Sequence, residues 1–211
     1  MQFPLVLGVS ARHAHLCREH MNILFGEGSE LHPKKYIGQP GQYSSEEQIT
    51  LVTAKGEMKL RIIGPLRKYT QLELSFTDAR KVGLNPPIRN SGDIKESAGG
   101  KLVGPKGEVE ITEGVIIAAR HIHLYPETAE TYGLKDGDIV SIQTNGERAL
   151  IMNNVFVRAD AIIFTVALPC DKGGRGFLTF AHDKLGTADA DAGGDVVFLI
   201  DCFAHYIAAV F

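Results

Sequence analysis

Ala11 to Leu16 reads ARHAHL, and Ala119 to Leu124 reads ARHIHL, so one hexapeptide occurs twice with its first histidines 108 positions apart. Each copy sits in the same local order. FPLVLGV (Phe3–Val9) leads into the first and EGVIIAA (Glu113–Ala119) into the second, both with the apolar character of a strand. After the first copy, Met21, Leu24 and Phe25 recur at helical spacing before Gly26; after the second, Pro126 suits a first helical turn and Gly133 its end. Strand, His-x-His, short helix therefore repeats, and the repeat predicts two similar small units.

Working outward, the remaining sequence is dominated by short strands joined by tight turns. Gln48–Gly64 has a hairpin pattern with Gly56 in its turn, Lys101–Ile111 has another, and Asp138–Met152 bends at Asn145-Gly146. Many strands with few, short helices predict a mainly β chain, barrels or sandwiches rather than a doubly wound sheet. Asn85–Gly100, rich in Pro, Gly, Ser and Asn and without periodicity, reads as a linker. It divides the chain into residues 1–90 and 91–211.

The 211 residues can bury a core without disulfides. Three cysteines, Cys17, Cys170 and Cys202, show no C-x-x-C spacing and indicate a reducing compartment. No signal-peptide pattern or long apolar run is present, so a cytoplasmic protein without a membrane span is expected. A net charge of −3 argues against nucleic-acid partners, because a phosphate backbone needs a basic face.

In an extended segment residues i and i+2 share a face, so His13 with His15, and His121 with His123, can each present two imidazoles to one ion. Imidazole suits zinc, copper, nickel and iron, and the pattern alone does not name the metal. Two histidines leave a tetrahedral site incomplete, so another ligand must come from elsewhere. TQLELSF (Thr70–Phe76) offers Glu73, which alternates with Leu72 and Leu74 and projects from the polar face of a strand. From Lys55 to Lys68 the chain carries Lys55, Lys59, Arg61, Arg67 and Lys68 against Glu57, which marks an anion site; Arg67, after the turn in GPLR, suits phosphate. A rival reading is a bicupin-like oxygenase or isomerase, since Gly8, His13, His15, Glu19 and Gly26 fit a cupin spacing. It lacks the downstream histidine, and Glu19 and Glu127 fall where helices are expected.

With these residues in view, the chain resembles the PduL-type phosphotransacylases (phosphate propanoyltransferases) over roughly residues 3 to 158. VSARHAHL, QPGQ, GPLRKYTQLELSFTDA, PPIRNSGD, IIAARHIHL and GLKDGD carry the resemblance. It implies two β-barrel domains capped by short α-helices, a homo-oligomer, two zinc ions, and interconversion of propanoyl-CoA or acetyl-CoA plus phosphate with acyl phosphate plus CoA. On the matching positions, one zinc would be held by His13, His15 and Glu73, and the other by His121, His123 and a third histidine from the C-terminal region. Arg67 would hold phosphate with Ser91 as helper, and Val9, Ser10, Ala11, Arg61 and Lys55 would lie along CoA. The implied chemistry is direct attack of metal-bound phosphate on the acyl carbon, the CoA thiolate leaving without an acyl-enzyme.

After Arg158 the resemblance fades. Leu168 falls where the family carries its last histidine ligand, which leaves Cys170 or, preferred here, His182 as substitutes; His205 reads as structural. Because the first strand begins by Phe3, no microcompartment-targeting extension is expected.

Overall fold

Alternation of apolar and polar residues sends successive side chains to opposite faces of a strand, and the computed structural model of the chain is accordingly built of strands. It describes residues 7–10, 12–37, 41–144, 147, 149–159, 165–169 and 197–200, the segments 7–10, 165–169 and 197–200 through their backbone. The described chain divides into two compact units between Ala119 and Arg120, with residues 7–10 assigned to the second and Pro169, at the end of a strand of the second, grouped with the first.

After β1 (Leu7–Ser10), the first unit runs through β2 (His13–His15), α1 (Arg18–Phe25), β3 (Pro33–Tyr36), β4 (Tyr43–Thr53), β5 (Gly56–Gly64), β6 (Gln71–Glu73), α2 (Phe76–Lys81), β7 (Ile88–Arg89), β8 (Ala98–Val103) and β9 (Glu108–Ala118). Six of these strands form a ring. β4 pairs antiparallel with β5, β5 parallel with β2, β2 antiparallel with β6, and β6 parallel with β9. β9 then pairs antiparallel with β8, and β8 returns to β4, Thr50 opposite Val103, closing the barrel and leaving none of the six with an open edge. The interior is filled by wholly buried Leu51, Leu60, Ile62, Leu72, Leu102 and Ile117. α1 adds Met21 and Leu24 to that core and stops at Gly26, whose φ of 104° suits glycine and whose N–H bonds Asn22 O.

Two expectations need correction. The strand read over Thr70–Phe76 ends at Glu73: Ser75 caps a helix by accepting the Asp78 N–H at 3.0 Å, and Phe76 begins α2. The signal was present as Ser-x-x-Asp, with Arg80 and Lys81 in the last turn. The stretch 85–100, read as a linker, holds β7 and the start of β8, so the division falls at Ala119 rather than near residue 90. A cut at 90 would remove β8 and β9 and open the barrel.

The second unit contains β10 (His121–Leu124), α3 (Pro126–Thr131), β11 (Ile139–Thr144), β12 (Ile151–Ala159), β13 (Thr165–Pro169) and β14 (Val197–Ile200), in a sheet ordered β1-β13-β10-β12-β11-β14. Ile122, Leu124, Ile142, Val155 and Val157 form its core. Four of its strands repeat the pairing of the first unit. β11 and β12 form a hairpin like β4 and β5, β10 runs parallel to β12 as β2 does to β5, and β10 is antiparallel to β13 as β2 is to β6. The two hexapeptides thus occupy equivalent places in the pairing pattern. Asn145-Gly146, expected at the bend of the β11–β12 hairpin, lies outside the described residues. Among the described residues no helix is long and apolar enough to cross a membrane.

β6 has three residues, and Leu72 anchors them in the core between Gln71 and Glu73. Leu72→Ala is expected to cost about 2–5 kcal/mol of stability, read by chemical denaturation, because it leaves a cavity in a closed barrel. A loss below about 1 kcal/mol would show that the barrel core does not hold β6 in place.

Candidate functional site

β2 lies between β5 and β6, and its period of two sends Ala14 into the barrel core and both histidines to the other face. The register sets His13 opposite Glu73 on β6 and Arg61 on β5. His13 Nε2 lies 3.6 Å from Glu73 Oε2, and the two imidazoles meet edge to face with centroids 5.0 Å apart. Ligand atoms of His13, His15 and Glu73 all fall within 4.8 Å of one another, the one such group among the described residues. Glu73, read from the sequence as projecting from the polar face of its strand, is buried.

The protonation states suit a cation. His15 is 2% exposed, and its Nδ1 lies 3.1 Å from the Ile63 carbonyl. A carbonyl only accepts, so Nδ1 carries the proton and Nε2 keeps its lone pair. Burial, then the neighbouring His13, then Arg67 hold the His15 pKa well below 6.5, in the neutral form that binds metal. A neutral imidazole anchored through its other N–H, beside a second imidazole and a carboxylate, is a donor set that fits zinc.

The arginine of each hexapeptide secures its histidine strand, a role the sequence reading passed over although the residue repeats with the histidines. Arg12 Nε donates to Lys59 O on β5 at 3.3 Å, and its Nη1 reaches both oxygens of Asp78 on α2 at 3.3 Å. Arg120 Nη1 donates to Asn153 O on β12 at 3.0 Å. In both units the clamp joins the histidine strand to its parallel neighbour.

Arg67 follows the turn after β5, and its backbone N–H donates to Leu16 O at 2.8 Å, docking the turn onto the end of β2. Its Nη1 donates to Ser91 Oγ at 3.1 Å. Gln71 Nε2 donates to the same Ser91 oxygen at 2.8 Å and to Glu73 Oε1 at 2.7 Å, while Gln71 Oε1 accepts the Gly92 N–H at 2.7 Å. Gly92 has φ 104°, and a Cβ there would meet the Tyr69 hydroxyl at 2.8 Å, so the approach needs glycine. The geometry thus joins Arg67, Ser91 and Glu73 into one hydrogen-bonded group through Gln71, which the sequence reading did not single out.

The other predicted residues divide. Arg61 Nη1 donates to Ser45 O at 2.8 Å, where β4 is bulged, and the stem of exposed Lys55 packs over Gly83 beyond α2. Val9 and Ser10 lie on β1, and Ala11 is outside the described residues. His121 and His123 are buried on β10, their rings 4.9 Å apart at 85°, close to the geometry of the first pair. The residue paired with His121 as Glu73 is with His13 is Ala167, which carries no ligand atom on its side chain. The substitutes His182 and Cys170, and His205, lie outside the described residues. The cupin alternative fares poorly, since it needs Glu19 on a barrel strand and Glu19 sits in the first turn of α1.

Residues 6–171 match the family model of phosphate propanoyltransferase. The phosphate propanoyltransferase of Thermotoga maritima is 49% identical over 156 residues, covering 73% of this chain and 74% of its own. That of Rhodopseudomonas palustris is 46% identical over 157 residues, 74% of this chain and 70% of its own. That of Salmonella typhimurium is 46% identical over 159 residues, 74% and 75%. The matched span takes in both hexapeptides and the Arg67–Ser91–Gln71–Glu73 group, and on this evidence the chain belongs to the phosphate propanoyltransferase family.

Proposed function

We propose that the chain transfers a short acyl group, propanoyl or acetyl, between CoA and inorganic phosphate. The observation that carries this reading is the hydrogen-bonded link between a guanidinium suited to phosphate, Arg67, and a donor set suited to a cation, half-buried His13 with buried His15 and Glu73. Zinc held by those three would supply Lewis-acid charge for an oxyanion. Arg67 has a planar fork of N–H donors that can take two phosphate oxygens at once, and Ser91 beside it helps orient the anion.

A phosphate oxygen held in this way attacks the thioester carbonyl. The C–O bond forms, the tetrahedral intermediate collapses with cleavage of the C–S bond, and the CoA thiolate leaves with the electron pair. No protein nucleophile takes part. His121 and His123, with His182, would hold a second zinc, and Val9, Ser10, Ala11, Arg61 and Lys55 would lie along CoA. The protein is proposed to work as a cytoplasmic homo-oligomer.

The test is CoA release from propanoyl-CoA, followed by thiol titration, together with metal analysis. Phosphate-dependent release with zinc near two per chain supports the reading. Release that ignores phosphate, or a rapid-quench burst of covalent acyl-protein, refutes it.

A further inference from the structure

We infer that Gln71 is a positioning residue of this site: its side-chain amide fixes which oxygen of Glu73 faces the histidines and couples that carboxylate to the Arg67–Ser91 pair. The inference rests on the reading of Glu73 as a metal ligand. Gln71 precedes Glu73 by two residues on β6, so the two side chains share a face. It is wholly buried, and three neighbours hold its amide. Both amide hydrogens are engaged, one to Glu73 Oε1 at 2.7 Å and one to Ser91 Oγ at 2.8 Å, while the amide oxygen accepts the Gly92 N–H at 2.7 Å.

The amide cannot be turned over. A carboxylate only accepts and a backbone N–H only donates, so a flipped Gln71 would set oxygen against oxygen at Glu73 and N–H against N–H at Gly92. With Oε1 of Glu73 held by Gln71, Oε2 is the oxygen that lies 3.6 Å from His13 Nε2. The two oxygens of Glu73 thus have separate tasks, and the amide assigns them. The same side chain bonds the hydroxyl that Arg67 bonds, so movement of Glu73 is passed to the anion side of the site.

The experiment uses the full chain and reads three quantities: affinity for the zinc that His15→Ala removes, by chelator competition; KM and kcat for phosphate; and thermal unfolding without metal. In Gln71→Met, which keeps bulk but not the amide, that zinc is expected to bind about 10- to 100-fold more weakly, the usual cost of losing a partner that orients a metal ligand. Phosphate KM should rise with it while the KM for propanoyl-CoA stays unchanged. Ser91→Ala keeps the Gln71–Glu73 bond, so it should raise phosphate KM at wild-type zinc affinity, a separation that general loosening of the barrel would not produce. Gln71→Asn, shorter by about 1.5 Å, cannot span Glu73 and Ser91 together and carries the same expectation should Gln71→Met fail to fold. Wild-type zinc affinity in a folded Gln71 variant, or equal weakening in Ser91→Ala, overturns the inference alone. A wild type holding no zinc that His15→Ala removes overturns both the inference and the ligand reading beneath it.

Discussion

His15→Ala is expected to lower kcat/KM for phosphate about a thousandfold and to remove one zinc per chain. A bound cation contributes several kcal/mol of charge stabilisation to an acyl-transfer transition state, and about 4 kcal/mol corresponds to three powers of ten. His15 is the histidine whose loss should matter most. It is the more deeply buried of its pair, it is held neutral by burial and by its neighbours, and its Nδ1–H is anchored on Ile63 O so that Nε2 is fixed as the donor. Alanine has no atom that could replace it. His32 supplies the control: it is exposed and bonded to Glu47 at 2.6 Å, so His32→Ala should keep wild-type zinc content and rate. Metal analysis and CoA release on both variants, with melting of the metal-free proteins to exclude a general loss of fold, make the comparison. A folded His15→Ala protein with undiminished zinc and turnover would refute the site.

The candidate residues that the sequence disclosed are those that depend on local geometry. His-x-His needs nothing beyond the period of two of a strand, so His13 with His15 and His121 with His123 could be paired on sight. Arg67 stood out because five basic residues face a single acid between Lys55 and Lys68. Glu73 could be found by alternation, but its burial could not, because that follows from β6 lying between β2 and β9 inside a closed ring. Gln71 was hidden for a related reason. Its partners Ser91 and Gly92 lie twenty residues on, in a loop that composition describes as irregular without saying which strand it returns to. The same composition suggested a domain edge at Asn85–Gly100, since Pro, Gly, Ser and Asn mark irregular backbone and not the limit of a fold. Barrel closure through Thr50 and Val103, 53 residues apart, leaves no local mark at all.

Arg67→Ala should separate the anion from the metal. Loss of one preorganised donor to a developing oxyanion typically costs about 10²–10³ in rate, so kcat/KM for phosphate is expected to fall by about that factor while the KM for propanoyl-CoA holds. Zinc content should not change. The turn stays docked, because it is the backbone N–H of Arg67 that bonds Leu16 O. His15 stays neutral too: removing the guanidinium lifts one of the effects that depress its pKa, but burial, the largest of them, remains. Arg67→Lys should recover part of the phosphate effect, since it restores the charge without the two-pronged fork. Phosphate saturation curves for the wild type, Arg67→Ala and Arg67→Lys, measured at fixed propanoyl-CoA, read all of this. Curves that superimpose would remove Arg67 from the phosphate site and leave the anion to be held elsewhere in the barrel.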